Sequence, residues 1–486
     1  MEEGTAASTP EGELEEKGEK IVRKLDWDSP TDPDNPRNWS ISKKWSSAAV
    51  TSLYTFVAPL ASSMMAPGLP EIARAYGTTD STVIAMSLSI FVLAFGVGPL
   101  FLAPLSEMYG RRWVLHICNI FFLVFLVACA KAPTMGTFIA FRFLSGLGGS
   151  APLAVGGGLI ADLWDEKERA SAMAIYSLGP LVGPVLGPVA GGFIVQSIGF
   201  HWIYWILTIL TGVSSILGVI LLRETYAPLI LSRRATRRGI RHLSTIEQAG
   251  HTSQWSFLLH SMYRPWIILF TSIICFSLSL YMALIYGFLY LLFVTYPTLY
   301  QVDYGWGPGV SGLAYLGPGL GFFMSTMATA FLMDRIYAKL SARNGGVGQP
   351  EFRIPVAIIG AIVVPIGLFW YGWSAQAHTH WIMPIIGGGI FSFGMMLTFF
   401  PLQVYIVDTF EYAASALAAA TVFRCMFGFG FPLFGQQMFS RLGNGGGNSL
   451  LAGLAIVLGI PFPVFIWFKG AELRARSKDM ETESLQ

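Results

Sequence analysis

Charged residues are scarce in this chain. Of its 486 residues, 12% are charged and 53% are hydrophobic, whereas a soluble domain carries about 25% charged residues. The formal net charge is only +2, so no basic surface for a nucleic acid is predicted. Long apolar runs are present instead, and at about 20 residues per span they predict an all-α polytopic membrane protein with twelve transmembrane helices.

Cysteine is also rare. All four cysteines lie within apolar segments, so no disulfide framework is expected. The chain has no Gly-Lys dipeptide, which excludes the phosphate-binding loop of an ATP-driven pump. His378 and His380 are too isolated for a metal site, and no cluster of His, Asp or Glu at catalytic spacing lies within the spans. We therefore expect no enzyme, no cofactor and no metal.

The Lys and Arg residues are distributed unevenly. With an internal N-terminus, nearly all of them fall in segments on one side, and the other side holds only Arg74, Lys131 and Arg441. This bias predicts cytoplasmic termini, and we expect a multi-pass protein of the plasma membrane. The expected parts are a mostly disordered cytoplasmic tail (1–44), a six-helix bundle (45–222), a basic cytoplasmic loop (223–264), a second six-helix bundle (265–469) and a C-terminal cytoplasmic tail (470–486).

The two halves resemble each other. IADLWDEKERASAMAIY begins at Ile160 and IVDTFEYAASALAAATVF begins at Ile406, so Asp162 corresponds to Asp408. Each Asp lies at the cytoplasmic end of the fourth span within its half. A duplicated six-span unit is typical of a transporter whose site lies between the halves.

The stretch GPLVGPVLGPVAGG places glycine and proline at every fourth position of the fifth span. A glycine stripe lets another backbone approach closely, and neighbouring helices can satisfy the carbonyls that prolines leave free. The stripe is either a seam on which the two halves rock or ordinary small-residue packing. Its residues are Gly179, Pro180, Gly183, Pro184, Gly187, Pro188, Gly191 and Gly192.

A charged cluster follows the second span, in APLSEMYGRRWV. Glu107 lies at the membrane edge, and Arg111 and Arg112 follow one glycine turn. We expect this cluster to pair with Asp162 and with a helix N-terminus, locking one conformation on the cytoplasmic side. The alternative is that these arginines only fix the topology.

These motifs together resemble a known family. Ala103–Arg112 resembles the loop motif of the major facilitator superfamily, Arg142 with the glycines that follow it resembles the fourth-span motif, and Gly183–Gly192 resembles the antiporter motif. LDWDSPTDPDNPRNWS, PEFRIP and SALAAATVFRCMFGFGFPLFG resemble the fungal twelve-span drug:proton antiporters. The resemblance implies two pseudo-symmetric bundles and a role for Arg142 in proton coupling. Glu107 and Met108 depart from the loop motif, which has Asp followed by a basic residue.

Two arginines lie inside predicted spans, at Arg142 and Arg424. Each costs at least about 2.5 kcal/mol to insert, so each should face the bundle interior or water. No span has Asp or Glu near its middle, and the cavity is therefore expected to hold two positive charges, which favours neutral or anionic cargo over polycations. Protonation of Asp162, relayed through Arg142, is a hypothesis for coupling. For Arg424, structural hydrogen bonding is the alternative to substrate contact.

Aromatic residues are concentrated in the seventh and tenth spans. Aromatic rings with a few polar groups suit an amphiphilic guest, although core filling is the alternative. Tyr296 is instead expected in the interfacial aromatic belt. The predicted cavity residues are Tyr286, Tyr290, Phe293, Phe399, Gln403 and Arg424.

The function predicted from these features is proton-coupled export of small amphiphilic compounds, such as drugs, toxins or secondary metabolites, by alternating access. The expected partners are the small-molecule substrate, protons and the lipid bilayer, and a monomer is expected. The alternative is a carrier of organic acids or, less favoured, of polyamines. A non-transporting sensor would need a large signalling domain, and no tail or loop is long enough to hold one.

Overall fold

The computed structural model describes residues 27–165, 168–238, 253–410 and 413–484. Within these residues every regular element is a helix, which confirms the predicted all-α class. The expected disorder of the N-terminal tail falls mainly on residues 1–26, which lie outside the described residues.

The first half is built from helices that cross the bundle in alternating directions. Asp80 begins α3 by accepting a hydrogen bond from the Thr82 amide at 2.8 Å, and Gly110, with φ 102°, ends it. Such caps satisfy backbone groups that the helix itself leaves unpaired. The helices of this half are α1 (Ile41–Ser63), α2 (Leu69–Ala75), α3 (Ser81–Tyr109), α4 (Arg111–Ala130), α5 (Met135–Gly149), α6 (Ala151–Leu163), α7 (Ala170–Ile198) and α8 (His201–Leu221).

The second half repeats this arrangement after two connecting helices. The predicted boundary after residue 264 falls inside α10, and the chain breaks instead at Ser272, whose side chain accepts a hydrogen bond from the Cys275 amide at 3.3 Å. The helices from the connection onward are α9 (Ala227–Arg237), α10 (Gln254–Thr271), α11 (Ile273–Pro297), α12 (Pro308–Leu313), α13 (Leu316–Arg343), α14 (Ile354–Gln376), α15 (Ile382–Thr409), α16 (Ala413–Leu454) and α17 (Pro461–Ser484).

Eleven segments of the described chain are long and apolar enough to cross a membrane. The last of them, Ala413–Arg474, has 62 residues, which at about 1.5 Å per residue is roughly three times the thickness of a bilayer core. Gly443, with φ 71° and ψ 170°, interrupts this segment. A positive φ breaks the helix there, so the segment supplies two spans and the total agrees with the predicted twelve.

The halves contact each other along two seams, α3 with α16 and α7 with α12 and α13. The N-terminal segment and α9 lie at one end of the bundle, which we call the tail face; the opposite end is the far face. On the far face, hydrogen bonds join the halves: Gln301 Nε2 donates to the Pro67 carbonyl at 2.7 Å, and the Gly309 amide donates to Gln196 Oε1 at 2.9 Å. A side-chain hydrogen bond of 2.8 Å also links Gln437 with Thr82.

The segment before α1 is attached to α9 on the tail face. Asp32 is buried at 2% exposure and accepts a hydrogen bond from Arg234 Nη1 at 2.5 Å. Asp28 pairs with Arg234 and with Arg238, each at 2.6 Å. The part of the tail that the structure describes is therefore folded and tied to the central loop.

Candidate functional site

The tail-face cluster forms around the Arg111–Asp162 pair. Arg111 Nε lies 3.3 Å from Asp162 Oδ2, and Arg111 Nη1 donates to Ser106 Oγ at 2.8 Å. Thr225 Oγ1 donates to the same Asp162 oxygen at 3.2 Å. The predicted pairing is present in the structure, and it joins the start of α4 to the end of α6 within one half.

Glu224 completes this cluster, although the sequence pattern did not single it out. Its two carboxylate oxygens accept hydrogen bonds from the backbone amides of Arg111 at 2.9 Å and Arg112 at 3.3 Å. An anion at the N-terminus of α4 is stabilised by the unpaired amides and the helix dipole. In the sequence, the only indication of this role of Glu224 is its position as an acidic residue just after the sixth span.

The other two predicted members of the cluster have different surroundings. Arg112 turns toward His116, with its Nε 3.4 Å from His116 Nε2, and not toward Asp162. Glu107 belongs to no hydrogen bond or ion pair of the described residues. The directly bonded cluster on the tail face therefore centres on Arg111, Asp162 and Glu224.

The second half contains a matching pair. Arg353 Nε lies 2.6 Å from Asp408 Oδ2, and its guanidinium stacks on the Tyr337 ring at 4.8 Å. Arg353 immediately precedes α14, and Arg111 is the first residue of α4. Asp408 lies at the end of α15, and Asp162 lies at the end of α6. The correspondence of the two aspartates in sequence thus has a counterpart in their ion pairs.

Arg142 is fully buried within the first half. Its guanidinium donates to the carbonyls of Ala61 at 2.9 Å, Ser62 at 3.3 Å and Ser87 at 3.3 Å. Ala61 and Ser62 lie in the last turn of α1, whose carbonyls have no partner within the helix. Arg142 therefore caps α1 and joins it to α3, and it faces the interior of the bundle, one of the two environments expected for it.

The glycine stripe of α7 packs against α1 in the same half. A Cβ at Gly179 or Gly183 would lie 2.9 Å from a backbone nitrogen of α1, and one at Gly191 would collide with the Met64 carbonyl. The backbones are therefore too close for any side chain. Gly179, Gly183 and Gly191 therefore form small-residue packing within one half.

A different part of α7 contacts the second half. A Cβ at Gly192 would collide with the Pro308 carbonyl, and one at Gly312 would lie 2.5 Å from the Pro188 carbonyl. Gly192 and Pro188 are thus the motif residues at the inter-half seam, and the seam also depends on small residues in α12.

Near the middle of the second half, Arg424 lies between two aromatic rings. Its Cζ is 5.1 Å from the centroid of Tyr286 and 5.1 Å from that of Phe399. The Tyr290 ring is 5.1 Å from Tyr286. The structure thus brings together four of the predicted cavity residues, from α11, α15 and α16.

The remaining aromatic predictions have mixed outcomes. Phe293 is 2% exposed and packs edge-on against Tyr315 at 5.2 Å, which places it in the core of the second half. Gln403 is half-buried, one turn after Phe399 on α15. Tyr296 is fully buried and stacks on Tyr371 at 5.4 Å, so its assignment to the interfacial belt is wrong.

Comparison with known proteins agrees with this architecture. A family model described as the Major Facilitator Superfamily matches residues 51–432. The efflux pump vrtL of Penicillium aethiopicum is 42% identical over 98% of this chain and 95% of its own. The MFS transporter cpaT of Aspergillus oryzae is 43% identical over 96% of this chain and 95% of its own.

Solved structures show the same fold at low sequence identity. The partially occluded, inward-open xylose transporter XylE from E. coli aligns with a TM-score of 0.64 and 15% identity, over 88% of this chain and 97% of that one. At this identity the likeness concerns the fold alone. Together with the relatives named as transporters and efflux pumps, it confirms the predicted resemblance and the expectation that the chain is a transporter and not an enzyme.

Proposed function

The chain belongs to the Major Facilitator Superfamily and is a membrane transporter, and from this premise we propose that it exports small amphiphilic compounds in exchange for protons. In this proposal the tail face is cytoplasmic, both termini are cytoplasmic, and the protein acts as a monomer in the plasma membrane. Efflux is also the activity for which the relative vrtL is named. Substrate enters from the tail face and leaves at the far face by alternating access.

The observation that carries the proposal is the set of hydrogen bonds that joins the halves at the far face. Gln301 to Pro67 at 2.7 Å, Gly309 to Gln196 at 2.9 Å and Gln437 to Thr82 at 2.8 Å all lie there. Contacts of this kind close one end of a two-bundle transporter, and they must break when the halves rock to the other state.

The tail-face pairs are proposed to respond to protonation and not to hold the halves together. Arg111–Asp162 and Arg353–Asp408 each lie within one half, so neither pair opposes separation of the halves on this face. We assign Asp162 as the group that accepts the proton, and Arg142 as a residue that transmits the change through α1. Arg142 donates to the Ala61 carbonyl at 2.9 Å, so a shift of α5 would move α1.

The test is transport in inside-out vesicles that contain the purified protein. Uptake of hydrophobic drugs, weak acids and polyamines is measured with and without an imposed proton gradient. The proposal predicts uptake of amphiphiles that rises with an acidic interior and collapses with an uncoupler. If the rate of uptake did not depend on the proton gradient, the proposal of antiport would be wrong. If only a polyamine were transported, the proposed substrate class would be wrong.

An organic-acid carrier is the second candidate, and one observation favours it. Arg424 has no carboxylate partner among the described residues, so the cavity offers a positive charge near mid-membrane. The same vesicle experiment separates this candidate, because a carrier of this kind would transport small hydrophilic acids and ignore uncharged amphiphiles.

A further inference from the structure

Arg424 differs from the other intramembrane arginine in how its donors are used. The three kinds of nitrogen of Arg142 all donate to backbone carbonyls. The Nε of Arg424 is buried and has no hydrogen-bond acceptor in the described structure. A buried donor without a partner costs about 1–3 kcal/mol, and a charge inside a span costs at least about 2.5 kcal/mol more. Among the described residues no acceptor offsets the cost of the unpaired Nε.

Two aromatic rings flank the Arg424 head group, which also interacts with the Cys425 side chain, and neither the rings nor Cys425 provides an acceptor for Nε. Tyr286 and Phe399 each lie 5.1 Å from Cζ. A cation–π contact places the cation over the face of the aromatic ring and is worth about 0.5–2 kcal/mol. The five N–H groups of arginine point outward in the plane, in a geometry that matches a carboxylate or another planar anion. The rings therefore hold the head group in place without neutralising its charge.

The neighbouring surface is apolar. Along α16, Phe427 follows Arg424 by one turn and stacks on Phe431 at 5.5 Å. The Tyr290 ring lies 5.1 Å from Tyr286 on the facing helix α11. An anionic head group on Arg424 would thus have an aromatic surface beside it for the rest of the molecule. A cation would meet the opposite situation, because Arg424 would repel it.

We infer that Arg424, held between Tyr286 and Phe399, binds the anionic group of an amphiphilic weak acid, a carboxylate, enolate or phenolate attached to an aromatic or other apolar body. This inference rests on the proposed transport function and narrows its substrate class. The bound anion supplies the acceptor that Nε lacks. A neutral analogue of the same shape keeps the apolar contacts and loses the ionic one.

The experiment compares 2-naphthoate with its neutral amide, 2-naphthamide, as matched probes. Binding to the purified full-length protein is measured by calorimetry in detergent, and transport by uptake into inside-out vesicles. Wild-type protein is expected to bind the acid at least tenfold more tightly than the amide. Arg424→Gln should remove this preference and leave amide binding within twofold, while Arg424→Lys should retain part of it.

Two further variants keep the result interpretable. Arg441→Gln changes an exposed arginine on the same helix and should alter neither affinity. Phe399→Leu removes one stacking ring and should weaken acid binding severalfold, which provides a second test if Arg424→Gln does not fold. The inference would be overturned if Arg424→Gln lost affinity for the acid and the amide equally, or if the wild-type protein bound both with equal affinity. Selective acid binding without any uptake would uphold it and reject the transport proposal.

Discussion

Arg353 Nε lies 2.6 Å from Asp408 Oδ2, in the position that corresponds to the Arg111–Asp162 pair of the first half. Each arginine stands at the start of one span and each aspartate at the tail-face end of the next. The pairs fix the relative positions of two helices within a half, so each half can move as a unit. This repetition is the clearest sign in the structure of two equivalent bundles.

We expect Arg111 and Asp162 to be energetically coupled. A double-mutant cycle with Arg111→Ala and Asp162→Ala should give a coupling of about 0.5–3 kcal/mol in the free energy of unfolding, as found for contacting residues in one network. The measurement is a denaturant titration of the purified protein. Arg112→Ala is the matched control, since Arg112 turns toward His116. Coupling of Asp162 to Arg112 as strong as to Arg111 would contradict the assignment.

Replacement of Arg142 should separate its structural role at the end of α1 from its proposed role in proton coupling. Arg142→Ala leaves the Ala61 and Ser62 carbonyls at the end of α1 without a donor, at about 1–3 kcal/mol for each buried group, so transport should be lost. Arg142→Lys keeps the charge and should preserve substrate exchange across the membrane while abolishing accumulation driven by a proton gradient. Exchange and gradient-driven uptake are measured in the same vesicles. Full gradient-driven uptake in Arg142→Lys would refute the coupling role.

The packing of α7 against α1 should not tolerate a methyl group. Gly183→Ala places a Cβ 2.9 Å from the Leu60 nitrogen, and such overpacking typically costs about 1–3 kcal/mol. We expect a lower unfolding temperature in a fluorescence melting experiment. Gly430→Ala is the control, because a Cβ there has no neighbour within 4 Å. Equal melting temperatures for both variants would mean that α1 and α7 do not pack this closely.

Attachment of the tail to α9 should depend on pH. Hydrogen bonds from Arg234 lower the pKa of Asp32 below its ordinary value of 3.8, and those from Arg238 lower the pKa of Asp28. A lowered folded-state pKa stabilises the attached tail above pH 3.8, and this stabilisation is lost as the pH falls through the folded value. The amides of Asp28 and Asp34 donate to the Asp32 carboxylate, so hydrogen exchange at these amides reports the attachment.

The variant Asp32→Asn should reproduce the detached tail at neutral pH, with faster exchange at both amides. Asp34→Asn changes an exposed carboxylate next to it and should leave the exchange slow. Slow exchange in Asp32→Asn would show that the ion pairs do not hold the tail.

Much of the architecture could be predicted from the sequence because span length is a local pattern, and because the duplication and the charged residues at the span ends can be recognised without knowing the packing. The helix that packs against the glycine stripe could not be predicted, because a helix face of small residues can pack against any neighbouring helix. Tyr296 was misplaced for a similar reason: its position near a span end fits an interfacial belt, but tertiary packing against Tyr371 buries it. Glu224 lies in a connection, where hydropathy carries no information about its contacts.

The most direct test of the central claim is a reversible crosslink across the far face. In a protein whose four native cysteines are replaced, Thr82→Cys and Gln437→Cys are joined by a short reducible thiol crosslinker, at the point where the native side chains lie 2.8 Å apart. Substrate uptake by inside-out vesicles is then measured before and after reduction. We predict that the crosslinked protein transports nothing and recovers on reduction, because the halves must separate there to release substrate. Undiminished transport by the fully crosslinked protein would contradict alternating access between the two halves.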